Sequence, residues 1–330
     1  PRGAAAVVVC QRLSFTLALT GTPWRSDCTP IVLAKYRGDD MKIHCDYQYG
    51  LSQAVDDRVC RLPQLTMIDN NKITLCHGSN TENYHSFSDL LKQSECNYLH
   101  LIECEELILY ILRKANKKLS LLRKQNQDAG GLIVAASVAH AKLIQLLMRR
   151  ELGENAVIVT YLEDNAVSII NDFRCSSRKW IISIGMISEG TNIPRLRVCC
   201  HLTRVKTELY FRQVLGRILR ANGKEDEKGF FYMPAEPRLV EYAHRIADDI
   251  PSSNVVALES MAVLEEPGAN VETLATNELS DSSITLEIAP TFNDSVPVTD
   301  TPFEKKSILA QSYESTINIF GRFKLEVIAL

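Results

Sequence analysis

From Gly130-Gly131 to about residue 250, short and almost wholly apolar runs alternate with stretches of helical periodicity, and this alternation restricts the fold more than any other feature. Strand-like runs stand at Leu132–Ala136, Ala156–Tyr161, Trp180–Ile184, Leu196–Leu202 and Gly229–Met233. Helical stretches fall between them at about Val138–Leu152, Asn165–Arg174 and Glu208–Leu219, and another follows near Pro237–Ile250. A strand that is apolar at nearly every position must be covered on both faces, which points to an α/β fold with a parallel sheet and helices on either side. Ligands of such sheets bind at the carboxyl ends of the strands.

Four regions follow from the pattern. Residues 1–45 read as the last strand and exit loop of a preceding α/β domain, because Phe15–Leu19 is apolar and Thr20-Gly21-Thr22-Pro23 breaks it. Residues 46–130 read as a linker or insertion, with a strand at Leu62–Ile68 and one long amphipathic helix from Leu99 to about Gln127. The α/β domain takes 131–250, and 251–330 reads as an acidic, partly disordered tail ending in a short hairpin. The first 250 residues hold 33 basic and 28 acidic side chains, and the last 80 hold 4 and 12. That asymmetry suits a body facing nucleic acid and a solvated tail. On the long helix, Arg113, Lys114, Lys117, Lys118, Arg123 and Lys124 could follow phosphates, but a solvated face is the expected reading.

Ten cysteines are scattered through strand-like and helical runs with no CxxC pair, which suits a reduced, cytoplasmic interior. His44-Cys45 and Cys76-His77 lack partners at zinc spacing, so no structural metal is expected. No apolar run approaches a membrane span.

The most specific signal is Gln213-Val-Leu-Gly216-Arg217-Ile-Leu-Arg220, on a helix with Thr207 as its expected N-cap. Arg217 and Arg220 are three residues apart, which puts two guanidiniums on one helical face. Gly216 beside them allows close approach of another backbone or ligand, and Gln213 lies one turn earlier. Phosphoryl transfer needs positioned cations of this kind, because its transition state spreads negative charge over phosphate oxygens. Surface salt bridges are the plainer alternative for such arginines.

Gln213–Arg220 resembles motif VI, QxxGRxxR, of superfamily 2 helicases. Ile181–Pro194, with Gly185, Ser188, Glu189, Gly190, Thr191 and Asn192, is similar to motif V, with Asn192 where that family usually has aspartate. Leu19–Asp27 resembles motif III of the DEAD/DEAH and type III restriction branches, and Leu132–Ser137 resembles motif IV. The four stand in the family's order. The resemblance implies a RecA-like, P-loop NTPase-like second helicase domain plus a remnant of a first RecA-like domain. It implies that Arg217 and Arg220 reach the γ-phosphate of ATP held across a cleft, one as arginine finger, with Gln213 sensing nucleotide. Contacts to the nucleotide would also come from Glu189, Gly190, Thr191, Asn192, Gly216, Thr20, Gly21 and Thr22. Contacts to a nucleic-acid backbone would come from Ser137, Thr160, Ser188, Thr203 and Arg204; His140 is expected to be an ordinary buried helix residue.

No GxxxxGK(S/T) loop and no Asp-Glu-x-His or Asp-Glu-x-Asp run occurs in these 330 residues. The family carries both before motif III, so truncation upstream of Pro1 is the simplest expectation, with ATP and Mg²⁺ held mainly by the first domain. By itself the chain is not expected to hydrolyse ATP. The favoured reading is the C-terminal part of an ATP-dependent helicase or translocase acting on nucleic acid, DNA before RNA, with partner subunits of a restriction, repair or defence system. The alternative is a non-catalytic nucleic-acid-binding or regulatory module. A Rossmann-like transferase is disfavoured by the lack of a dinucleotide fingerprint.

Overall fold

A computed structural model gives the fold. It describes residues 17, 20, 31, 34–37, 42–77, 80–163, 165–185, 191–221, 228–250 and 315–329. The strands are β1 (Lys35–Arg37), β2 (Lys42–His44), β3 (Leu62–Asn70), β4 (Ile73–His77), β5 (Asn80–Tyr84), β6 (Gly130–Ala135), β7 (Ala156–Val159), β8 (Trp180–Ser183), β9 (Leu196–Leu202), β10 (Lys228–Pro234), β11 (Ser315–Ile319) and β12 (Phe323–Ala329). The helices are α1 (Leu51–Asp56), α2 (Phe87–Gln93), α3 (Tyr98–Glu103), α4 (Glu105–Gln125), α5 (Val138–Leu152), α6 (Ala166–Cys175), α7 (Glu208–Ile218) and α8 (Pro237–Asp248).

The main sheet has seven strands in the order β12-β3-β10-β9-β6-β8-β7. All its pairs are parallel except β12 with β3. Every residue of β6, β8 and β9 is buried, as a sheet sandwiched between helices requires. From β6 the chain moves outward through α5 to β7 and returns through α6 to β8. It then crosses to the far side of β6 and runs β9–α7–β10. Right-handed crossovers put α5 on one face of the sheet and α6 and α7 on the other. Helix α4 packs with α5 and against β9, and α8 packs with α7.

Local chemistry fixes several ends. Ser137 caps α5 by accepting from the His140 amide, and Gly153 ends it in the left-handed region at φ 64°. Glu236 caps α8 through the Arg238 and Leu239 amides, with Pro237 at the first helical position. Trp180 lies fully buried over Gly131 and donates its Nε1–H to Asn116 Oδ1 of α4 at 3.1 Å.

The sheet extends past the expected 131–250. Residues 62–70, assigned above to a linker, pair with β10 along their length, and 323–329, assigned to the tail, form the antiparallel edge on β3. The terminal residues do not pair with each other as a hairpin: β11 joins β4 and β5 in a separate three-stranded sheet. Gly321, between β11 and β12, passes so close to Asn70, Asn71 and Lys72 that a Cβ there would meet their atoms at 2.4–2.5 Å. The long helix is two helices, because Cys104 adopts an extended backbone with ψ 119°. Glu105 and Glu106 open the second one, where carboxylates suit the helix dipole. Its basic side chains are largely engaged: Arg123 donates to the carbonyls of Ala129 and Ser177, Lys118 lies over the Phe230 ring and Arg113 meets Glu151. Apart from Leu17, which is exposed, the expected strand at Phe15–Leu19 falls outside the described residues, as do residues 251–314. No helix among the described residues is long and apolar enough to cross a membrane.

Candidate functional site

The motif-like residues separate to opposite ends of the sheet. Ser137, Thr160, Thr203 and Arg204 follow directly on β6, β7 and β9, and so gather at the carboxyl ends of the parallel strands. Thr191 and Asn192 precede β9 and lie at the amino ends, where α7 terminates. The seven residues of β9 separate the two groups by about 20 Å at roughly 3.3 Å per residue. The general rule that ligands meet the carboxyl ends therefore does not describe where Thr191 and Asn192 sit, a few residues before the start of β9.

At the amino ends, α7 supplies the arginines. Thr207 caps it, accepting from the Tyr210 amide at 3.4 Å, and Phe211, Val214, Leu215 and Ile218 form its buried stripe. Phe211, Phe231 and His201 pack ring to ring beneath it. Arg217 belongs to the last turn, and the helix ends at Ile218. Arg220 is thus not on the helical face expected for it; it forms an isolated antiparallel bridge with Cys60. The two guanidiniums converge nonetheless. Arg217 Nη1 donates to the Thr191 carbonyl at 2.5 Å, and Arg220 Nη1 donates to the same oxygen at 2.8 Å and to Asn192 Oδ1 at 2.7 Å. Arg217 is 9% exposed, whereas Arg220 lines an open hollow of about 520 Å³ with Val59, Thr191, Asn192, Pro194 and Ala221. Partial burial lowers the Arg220 pKa from its ordinary value. Thr191 Oγ1 is buried with no hydrogen-bond partner among the described residues. A Cβ on Gly216 would meet nothing within 4 Å among the described residues, and Gln213 is half-buried one turn earlier.

Three further arginines, not singled out in the sequence, hold this end of the sheet by donating to backbone carbonyls. Arg61, 2% exposed, reaches the carbonyls of Pro194, Leu196 and Ile218. Arg195 reaches Asp128, Phe173 and Arg178 and lies over the Phe173 ring; burial pulls its pKa down to about 10. Arg197 donates to the Lys228 carbonyl. The available signal was position: Arg61 stands immediately before an apolar run, and Arg195 and Arg197 alternate with apolar residues where a strand begins.

At the carboxyl ends the hydroxyls do local work. Ser137 caps α5, Thr160 Oγ1 accepts from the Leu162 amide at 3.2 Å, and Thr203 Oγ1 accepts from the Val205 amide at 3.3 Å. Thr160 and Thr203 are buried, and the Thr203 hydroxyl also bonds to the Tyr210 phenol; Ser137 is half-buried. Arg204 is exposed beside them. His140 is buried, its Nδ1 accepts from the Ala136 amide at 3.1 Å, and burial lowers its pKa to about 4. Ser188, Glu189 and Gly190, like Gly21 and Thr22, lie outside the described residues, and Thr20 is exposed. Among the described residues no group of three or more His, Cys, Asp or Glu side chains is placed to hold a metal ion.

Residues 113–222, which take in β6 to α7 and the arginine pair, match the family described as helicase conserved C-terminal domain. That segment, a third of the chain, is similar to helicase C-terminal domains. An uncharacterized protein of Mycobacterium tuberculosis is 28% identical to it over 233 residues. That match covers 69% of this chain and 38% of the relative, so the chain spans well under half of that protein's length. Among solved structures, the SWI2/SNF2 ATPase core domain of Sulfolobus solfataricus is 17% identical at TM-score 0.26, covering 34% of this chain and 22% of that one. Domain 2 of the DEAD-box helicase Mss116p, bound to an RNA duplex, is 13% identical at TM-score 0.30, covering 42% and 64%. The matched segment leaves out β3, β10 and β12, which share its sheet, together with Arg61 and with Val59, which lines the hollow.

Proposed function

We propose that this chain supplies the second half of an ATP-driven motor acting on nucleic acid, with Arg217 and Arg220 directed at the terminal phosphate of ATP bound by a first RecA-like domain. The observation that carries the reading is the convergence of the two guanidiniums on one carbonyl at the rim of an open hollow. Their nitrogens lie within about 5 Å of each other, a separation at which like charges repel by about 3 kcal/mol at an effective dielectric near 20. An anion entering the hollow would turn that repulsion into attraction, and the half-buried Arg220 suits phosphate oxygens. Asn192 lines the same hollow, and Gln213 and Gly216, earlier on α7, take a part in the same contact under this reading. The motif order assigns the phosphate cradle and Mg²⁺ to the first domain, and Mg²⁺ there would neutralise developing phosphate charge.

At the other end of the sheet, Ser137, Thr160, Thr203 and Arg204, with Ser188, would contact the backbone of a nucleic acid, DNA being the first to test. Contacts of this kind are indifferent to sequence and weaken steeply with salt.

The decisive experiment measures ATP turnover of the complete gene product with and without single-stranded or duplex nucleic acid. Arg217→Ala and Arg220→Ala should each lower stimulated turnover by about 10³-fold or more, the scale of a lost arginine finger, while circular dichroism shows the fold intact. Normal turnover in both variants would remove the basis of the proposal.

A further inference from the structure

We propose that Arg61 is a positioning residue for the arginine pair, and that the segment Val59–Arg61 completes the site from outside the matched helicase segment. The proposal rests on the reading of Arg217 and Arg220 given above; its geometric half does not.

Two pieces of backbone must hold a fixed relation if the pair is to converge: the segment Thr191–Leu196 that leads into β9, and the segment Arg217–Ala221 in which α7 ends. Arg61 ties them together. Its Nη1 donates to the Leu196 carbonyl at 2.9 Å and to the Ile218 carbonyl at 3.2 Å, and its Nη2 donates to the Pro194 carbonyl at 3.0 Å. The Ile218 carbonyl is one of the last four of α7, which have no partner within the helix. The Pro194 carbonyl stands two residues before β9 begins. The backbone of the same segment adds a second tie, because the Arg61 amide donates to the Leu219 carbonyl at 2.6 Å and Cys60 bridges Arg220. Val59, just before them and 58% exposed, forms part of the wall of the hollow.

A guanidinium presents its donors in one rigid plane, so carbonyls bonded to it are held at set spacings. Here those carbonyls flank the functional contacts closely: Thr191 is three residues before Pro194, and Arg217 and Arg220 bracket Ile218 and Leu219. Burial at 2% exposure keeps water from substituting for the bonds. Lysine would keep the charge while offering one nitrogen in place of the fork, which cannot span all three acceptors.

The test uses Arg61→Lys, with Arg61→Ala as the harsher variant, and two readouts. In the full chain, hydrogen exchange is followed by mass spectrometry. With Arg61→Lys, peptides covering 191–196 and 217–221 should exchange about tenfold faster or more, while β6 and β8 keep their protection. In the complete gene product, ATP turnover should fall about tenfold to a hundredfold in kcat with KM for ATP changed by less than about threefold, as expected when a transition-state group is displaced by an ångström or so. Arg61→Lys added to Arg217→Ala should lower kcat little further, since both remove the same contribution. Exchange that rises evenly over the whole sheet, or that stays unchanged in those two segments, overturns the positioning role. So does multiplication of the two kcat losses in the double variant. If Arg217→Ala and Arg220→Ala leave turnover normal, the motor reading fails, and the exchange pattern alone then decides whether Arg61 holds the two segments.

Discussion

Gly216→Ala separates stability from function at the arginine end of α7. Gly216 lies inside the helix, its φ is not positive, and a Cβ built on it meets nothing within 4 Å among the described residues. For the isolated chain the substitution therefore removes only the flexibility that glycine gives the unfolded state, a gain of about 0.5–1 kcal/mol. For a domain of about 200 residues that is a rise in Tm of about 1–4 °C. The same open space is where the motor reading needs another surface to approach, one residue from Arg217. A methyl group there, and more so the isopropyl group of Gly216→Val, should reduce nucleic-acid-stimulated ATP turnover of the complete gene product while the isolated chain melts no earlier with alanine. Calorimetry on the chain and steady-state kinetics on the complete gene product make the comparison. A lower Tm for Gly216→Ala would mean that the space is not open; full turnover in Gly216→Val would mean that nothing approaches it, and the role given to this glycine would be wrong.

Gly131→Ala should do the opposite to stability, because its Cβ would meet the Trp180 ring at 2.3–2.8 Å inside a core with no room to shift; a loss of about 1–3 kcal/mol is expected, read as a lower midpoint in urea. Acid should destabilise the fold between about pH 6.5 and pH 4. His140 and His201 are buried with pKa values lowered to about 4, so over that window the unfolded chain binds protons that the folded one refuses, and stability falls by up to about 1.4 kcal/mol per pH unit for each. His201→Leu should flatten the dependence of Tm on pH across this window, and an unchanged slope would show that His201 is not held neutral. Arg195→Lys loses a planar fork over Phe173 and should cost a few kcal/mol in chemical denaturation without changing the convergence of Arg217 and Arg220 on Thr191, as seen by an unaltered exchange pattern at 217–221.

Much of the domain was legible because it depends on local signals. The helix read at about Val138–Leu152 has those bounds in the fold, where Ser137 caps its start and Gly153 ends it. The strands were read because β6, β8 and β9 are buried on both faces and so are mostly apolar, with Arg197 and His201 the exceptions in β9. Non-local pairing was not legible. Nothing in Leu62–Asn70 says that it will lie beside β10, some 160 residues later, and Phe323–Ala329 is a short alternating run at the end of a polar, acidic stretch. The break at Cys104 was hidden because apolar residues continue at helical spacing on both sides of it. At the candidate site the identity of the arginines was legible and their posture was not. The i, i+3 spacing assumes that the helix continues through Arg220, whereas bonds from Arg61 and Cys60 to residues 218–220 take over the backbone there.

The contact between Thr191 and Arg217 joins residues 26 apart in sequence, and the fold explains why it is short in space. From Thr191 the chain enters β9, climbs to the carboxyl end of the sheet, turns at Thr203–Thr207 and descends along α7. Seven strand residues rise about 20 Å and eleven helical residues fall about 15 Å, so one β–α unit returns the chain most of the way to its starting level. Its upper turn carries Thr203 and Arg204, and its closing contact carries Thr191, Arg217 and Arg220. The candidate backbone-binding group and the candidate phosphate-binding group are therefore the two ends of the same pair of elements, packed together through Phe211, Val214, Leu215 and Ile218. A close-packed interface of that kind resists sliding, because few voids are available to accept a displaced side chain. Displacing the upper turn without displacing the arginines would require α7 to bend or to slip along β9, and the residue in α7 that resists bending least is Gly216, directly beside Arg217.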